Sequence, residues 1–221
     1  MSRPFDLSVY FVADPACCAG RTVERVVIEA LRGGVTLVQL RNKNDMKAIV
    51  LEQALRLKAL VSDFGVPLLI NDFPDIAFAA KADGVHIGQG DTEPAEARAL
   101  LGPDAIIGLT AFGEEHFAAI EAGAVDYAGT GPVYPTQTDK GKPVLGPIKF
   151  SKLIPLSPVP VVGIGGIDAG NAEAVIRAGA EGVAVMRAIS EADDPEEAAR
   201  ELVEAVGRAR EGFGEQSRRV S

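Results

Sequence analysis

The sequence predicts a single (β/α)8 barrel. Two observations carry this. Eight short apolar runs, bounded by Pro and Gly and too short for helices, alternate with segments of helical spacing along 221 residues. Polar, chemistry-bearing residues also follow nearly every run directly, and such barrels place their sites at the carboxyl ends of the strands. An open, doubly wound sheet is the alternative, but it gives no reason for chemistry at almost every strand end. No linker or composition shift splits the chain, so one domain is expected over 1–211. Residues 212–221 (GFGEQSRRVS) read as a frayed, flexible tail.

The elements follow in order. Leu7–Ala13 is the first strand, closed by Asp14-Pro15. Thr22–Leu31 places Val23, Val26, Val27, Ala30 and Leu31 at helical spacing and stops at Gly33-Gly34. Thr36–Leu40 is the second strand. Asn44 or Asp45 caps a long helix whose buried face is Met46, Ile49, Val50, Leu57, Leu60 and Val61. Pro67–Ile70 and Gly84–Ile87 are buried parallel strands, and the helix Pro74–Ala80 between them makes a right-handed crossover. Glu93–Leu101 is a helix, Ala105–Leu109 a strand, Gly113–Ala122 a helix and Val125–Gly129 a strand. The loop Thr130–Gly146 is long enough to suggest function. A weak helix (Ile148–Ile154), a strand (Val159–Gly163), a helix (Ala172–Ala178) and a strand (Gly182–Met186) follow. Asp194-Pro195-Glu196-Glu197 opens the last helix with a cap, a first-turn proline and an acid three residues on.

Asp72 and Asp91 leave adjacent strands at the same edge. Two carboxylates held side by side repel unless a positive charge lies between them. Magnesium suits that position, since it is held by one or two carboxylates together with substrate phosphates. The plainer reading makes each Asp a helix cap. Strand two gives Gln39 near its end and Arg41 and Lys43 just beyond it, Asn71 stands after strand three, Thr110 after strand five, and Thr136, Thr138, Asp139 and Lys140 after strand six. Two cations beside two acids suit a phosphate ester with its metal. Gly165-Gly166 after strand seven, with Arg187 after strand eight, offers a second anion site, although the glycines could serve a turn alone. His86 reads as a hydrogen-bonded core histidine and His116 as a surface one.

The net charge of −9 argues against nonspecific binding to nucleic acid or an anionic membrane. Cys17 and Cys18 are adjacent, make no structural staple and have no neighbour in sequence that would lower a thiol pKa. The N-terminus carries no signal-peptide pattern and no apolar run reaches membrane-spanning length, so a cytoplasmic protein is expected. The sequence leaves a homo-oligomer open.

Six motifs in order resemble the thiamine-phosphate synthase family: VQLRNK (38–43), INDFPDIA (70–77), ADGVHIGQGD (82–91), DYAGTGPVYPTQT (126–138), VVGIGGI (161–167) and GAEGVAVMRAI (179–189). The resemblance runs from Tyr10 to about Pro195. It implies a transferase that joins 4-amino-2-methyl-5-hydroxymethylpyrimidine diphosphate to 4-methyl-5-(2-hydroxyethyl)thiazole phosphate. By motif, Gln39, Arg41, Lys43 and Asn71 would hold the pyrimidine diphosphate, and Asp72 and Asp91 the magnesium. Thr110 keeps the hydroxyl of a usual Ser. Thr136, Gln137, Thr138, Asp139, Gly166, Met186 and Arg187 would line the substrate site, with Thr136, Thr138 and Gly166 facing the thiazole phosphate. Arg41, Lys43, Thr110 and Lys140 are the expected catalytic groups.

Three positions depart from the family's pattern. Asp139 stands where a Lys is usual, with Lys140 one step on. Arg187 replaces a Ser, and Phe73 replaces an Arg. A related thiazole tautomerase would have a histidine at the position of Pro132 and would lack the second acid, Asp91. A non-catalytic paralogue that binds thiamine precursors is the alternative of a different class.

Overall fold

The computed structural model describes residues 4–121, 123–138, 141 and 143–219, with side chains up to Gly212. Eight parallel strands close into a barrel in sequence order, β8 pairing back onto β1. They are β1 (Val9–Ala13), β2 (Leu37–Leu40), β3 (Leu68–Asn71), β4 (Gly84–Ile87), β5 (Ile106–Thr110), β6 (Tyr127–Thr130), β7 (Val161–Ile164) and β8 (Gly182–Val185). The helices are α1 (Val23–Arg32), α2 (Lys47–Ser62), α3 (Pro74–Ala80), α4 (Pro94–Leu101), α5 (Glu114–Ala118), α6 (Gly146–Leu153), α7 (Ala172–Arg177), α8 (Arg187–Ser190) and α9 (Pro195–Arg219). The predicted barrel is therefore the observed one. Asn71 and Thr110 are the last residues of their strands, so the mouth chemistry is mounted on the barrel itself.

Strand alternation divides the apolar residues into two cores. One face points outward under the helices: Val9, Phe11, Val38, Leu40, Leu68, Ile70, Val85 and Ile107 pack there against helix residues such as Val27, Leu57 and Phe117. The other face fills the barrel: Tyr10, Val12, Leu37, Leu69, Ile106, Tyr127, Val162 and Ala184. At the amino ends of the strands, Asp83 accepts from the Leu68 N–H (2.8 Å) and pairs with Lys58 (2.6 Å). Asp126 does the same for the Ile107 N–H (2.7 Å) and Arg98 (2.6 Å). These acids pin the closed end of the barrel and have no part at its mouth.

Three local expectations change. Asn42 accepts the N–H groups of Asn44 and Asp45 (3.1 Å each), which keeps both out of the helix. α2 therefore starts at Lys47 and buries Val50, Ala54, Leu57 and Val61, while Met46 and Ile49 are exposed. His116 is not a free surface residue, because its ring stacks edge-on against Phe112 at 4.2 Å. α9 runs past Gly212 to Arg219, where the sequence reads as a tail. A helical glycine costs only about 1 kcal/mol relative to Ala, too little by itself to end a helix.

Two glycines inside the barrel leave room for a layer of polar rings. A Cβ on Gly108 would lie 2.2 Å from the Tyr127 ring and 2.5 Å from the His86 ring, and one on Gly129 would lie 3.0 Å from His86. Gly108→Ala is expected to destabilise the protein by about 1–3 kcal/mol, the usual cost of overpacking. An unchanged midpoint in a urea unfolding curve would show that the layer has slack.

Candidate active site

The carboxyl ends of β2, β3 and β4 bring the predicted charges together. Asp72 adopts φ +62°, a left-handed conformation that non-glycine residues rarely accept, and its N–H donates to the His86 carbonyl at 2.9 Å. Asp91 is folded back by the turn after β4, its carboxylate accepting the Gly88 N–H at 2.7 Å. Burial pushes the Asp91 carboxyl above its usual range, the Gly88 N–H pulls it back, and Asp72, within hydrogen-bond reach, pushes it up again. The ammonium of Lys43 lies 2.9 Å from Asp72 Oδ2. Such a pair wants a cation, and the donor set of two hard oxygens suits a divalent ion that takes its remaining ligands from water or phosphate. Among the described residues no third His, Cys, Asp or Glu joins them. A cleft of about 700 Å³ opens over this corner, lined by Lys43, Lys47, Asp72, Phe73, Asp91 and Thr92. Lys47 hangs 4.9 Å above the Phe73 ring and pairs with Asp75 at 2.7 Å.

Arg41 does not face the acid pair directly. Its guanidinium is ion-paired with Asp14, a buried carboxylate just after β1 that also caps the following turn through the Ala16 N–H at 3.0 Å. Among the described residues its one hydrogen-bond partner is Asp14, which leaves other guanidinium N–H groups to bind an anion. Asp14 went unrecognised in the sequence because Asp-Pro reads as a strand stop. The signal that could have found it is an acid at the end of β1, beside the Arg41 strand end.

Inside the mouth, Gln39 is buried and donates to the Tyr10 hydroxyl. Tyr10 and Tyr127 share a hydrogen bond of 2.9 Å, Tyr127 meets His86 Nδ1 at 2.9 Å, and His86 Nε2 meets Thr110 Oγ1 at 3.0 Å. Burial pushes the His86 imidazole down to about 4, and it raises both tyrosine hydroxyls well above their usual range. All three groups are neutral near pH 7. Tyr10 and Tyr127 were missed in the sequence because aromatic residues in apolar strands read as plain core. Asn71 is buried at the end of β3.

On the opposite rim, Thr136 Oγ1 accepts the Thr138 N–H (3.3 Å), Thr138 Oγ1 contacts Met186 Sδ (3.9 Å) and Arg187 Nε donates to Thr138 Oγ1 (3.4 Å). Arg187 also pairs with Glu191. Gln137 is exposed, and Asp139 and Lys140 lie outside the described residues. Gly165 and Gly166 sit at φ +92° and +65°, and a Cβ on Gly166 would lie 2.4 Å from the Pro135 carbonyl oxygen. The two glycines are thus needed for the turn and for close approach of the β6 loop. Cys17 and Cys18 are buried, and burial pushes the Cys18 thiol up to about 11, so neither is a poised nucleophile. Among the described residues no helix is long and apolar enough to cross a membrane.

The sequence and the fold resemble known proteins. The chain is 47% identical over 212 residues to a thiamine-phosphate synthase of Xanthobacter autotrophicus, covering 95% of this chain and all of that one. It is 48% identical over 204 residues to one of Azorhizobium caulinodans, covering 91% and 96%. A solved thiamine phosphate pyrophosphorylase from Pyrococcus furiosus superposes with a TM-score of 0.82 at 32% identity, covering 92% of this chain and 96% of that one. The family model described as thiamine monophosphate synthase matches residues 9–189, and the chain belongs to that family.

Proposed function

We propose that the protein joins 4-amino-2-methyl-5-hydroxymethylpyrimidine diphosphate to 4-methyl-5-(2-hydroxyethyl)thiazole phosphate, giving thiamine phosphate and diphosphate. The observation that carries this reading is the Asp72–Asp91 pair beside Lys43, with Arg41 on the neighbouring strand end. Magnesium held by Asp72 and Asp91 would neutralise charge on the diphosphate oxygens.

The chain's own residues do the rest. Arg41 and Lys43, with Lys140 from the β6 loop, draw off the charge that builds as the methylene–oxygen bond breaks. Gln39 and Asn71 hold the pyrimidine, and Thr110 donates to the diphosphate. The electron-rich aminopyrimidine ring stabilises the cation left behind, and the thiazole nitrogen then adds to it. No protein nucleophile is needed, which agrees with the two inert cysteines. Positioning and electrostatics carry the rate. Thr136, Thr138, Gly166, Met186 and Arg187 line the thiazole phosphate side.

Incubating the purified protein with both substrates and magnesium tests the reading. Thiamine phosphate and diphosphate should form in equal amounts. Binding of either substrate without product would overturn the enzyme in favour of a precursor-binding protein.

Arg187 gives a sharper check, because a guanidinium–phosphate contact is charge-assisted where a serine's is not. Arg187→Ala is expected to raise KM for the thiazole phosphate about tenfold or more, the worth of one charged hydrogen bond. KM for the pyrimidine diphosphate should hardly move. Equal effects on both constants would contradict the assignment.

A further inference from the structure

The hydrogen bonds inside the mouth form a line that crosses the barrel, from Gln39 on β2 through Tyr10 on β1, Tyr127 on β6 and His86 on β4 to Thr110 on β5. The Gln39 amide gives this line a direction, because its Nε2 faces the Tyr10 oxygen. Gln39 donates through Nε2, so the Tyr10 oxygen is already an acceptor. Tyr10 is buried, and a buried hydroxyl hydrogen needs an acceptor. Among its described contacts only the Tyr127 oxygen can accept it. The Tyr127 hydrogen then goes to His86 Nδ1. A neutral imidazole that accepts at Nδ1 carries its proton on Nε2 and donates it to Thr110 Oγ1.

We infer that Tyr10, Tyr127 and His86 act as positioning residues. Their relay couples the Nε2–H form of His86 to one orientation of each end, in which Gln39 turns its carbonyl oxygen, and Thr110 its hydroxyl hydrogen, toward the bound pyrimidine diphosphate. The substrate identity rests on the function proposed above, while the relay's direction does not. Both ends then match that substrate. The Gln39 oxygen can accept from the exocyclic amine, and the Thr110 hydroxyl can donate to a diphosphate oxygen. The reverse direction would set N–H against N–H at one end and a lone pair against an oxyanion at the other. Each mismatch leaves a buried polar group unpaired, which is how a site rejects the wrong ligand. Gly108 and Gly129 provide the space in which the rings meet, which marks the layer as built.

The test begins with nitrogen NMR of the full chain labelled with 15N-histidine and needs no substrate. The chain has two histidines, so a His116→Gln variant assigns His86. The protonated and bare nitrogens of a neutral imidazole have well-separated shifts, and His86 should show its proton on Nε2 alone. A proton on Nδ1 would overturn the proposal whatever the enzyme's activity.

Tyr127→Phe removes the donor to Nδ1. It should give a mixed tautomer and raise KM for the pyrimidine diphosphate by about threefold to tenfold, the range of one lost hydrogen bond. KM for the thiazole phosphate should stay constant. An unchanged tautomer, or equal changes in both constants, would reduce the tyrosines to packing. Tyr10→Phe provides a second break if Tyr127→Phe folds poorly. If thiamine phosphate never forms in the wild type, the proposed function fails, and the wild-type and variant spectra still decide the relay's direction.

Discussion

Asp72→Asn and Asp91→Asn are each expected to lower turnover by about 10³-fold, since a divalent ion supplies several kcal/mol of charge stabilisation to a departing phosphate group. Asparagine is the informative substitution at Asp72. The residue sits at φ +62°, where Asn is tolerated and Ala would add strain. The backbone should therefore hold while one ligand charge disappears. The variants also relieve the repulsion that pushes Asp91 up, so folding stability should not fall. Binding of manganese in the presence of diphosphate, followed by electron paramagnetic resonance, provides a readout apart from turnover and should be lost in both variants. Excess chelator should silence the wild type and added magnesium should restore it. Full activity in either variant, or in chelator, would rule out a metal at this corner.

Arg41→Ala should fail in two separable ways. The guanidinium is the ion-pair partner of Asp14, which is only 3% exposed. Removing it strands a buried carboxylate, a change that costs about 3–5 kcal/mol. It also removes a cation from the diphosphate side, which should cost turnover about 10²-fold, as for one transition-state contact in a dry site. The double variant Asp14→Asn/Arg41→Ala separates the two, because a neutral amide no longer needs the guanidinium. Urea unfolding should show stability largely recovered, and steady-state assays should show turnover still low. Recovery of both would make Arg41 a purely structural residue.

A second groove adds nothing to this chemistry. It spans about 800 Å³ between α6, α7 and α9, where Glu173 is paired with both Arg177 (2.8 Å) and Arg208 (3.2 Å). These charges answer one another on the outer surface, away from the strand ends.

The sequence by itself determined the barrel and its mouth. Short apolar runs bounded by Pro and Gly can only be buried strands, and helical spacing between them forces parallel crossovers. Once the strands are parallel, Gln39, Lys43, Asn71, Asp72, Asp91 and Thr110 must emerge at one end, which is why the acid pair is legible in the sequence. Packing decided the rest, because pairings between distant residues leave no trace in local spacing. Asp14 and Arg41 are 27 residues apart, and nothing nearby marks either as the other's partner. Met46 fits the spacing of a buried face, yet Asn42 reorganises the loop and leaves it exposed. Tyr10 and Tyr127 are 117 residues apart and read alike as apolar core. Only closure of the sheet puts their hydroxyls against each other and against His86. A hydrogen bond is set by the meeting of two directions in space, and the chain's local pattern records neither.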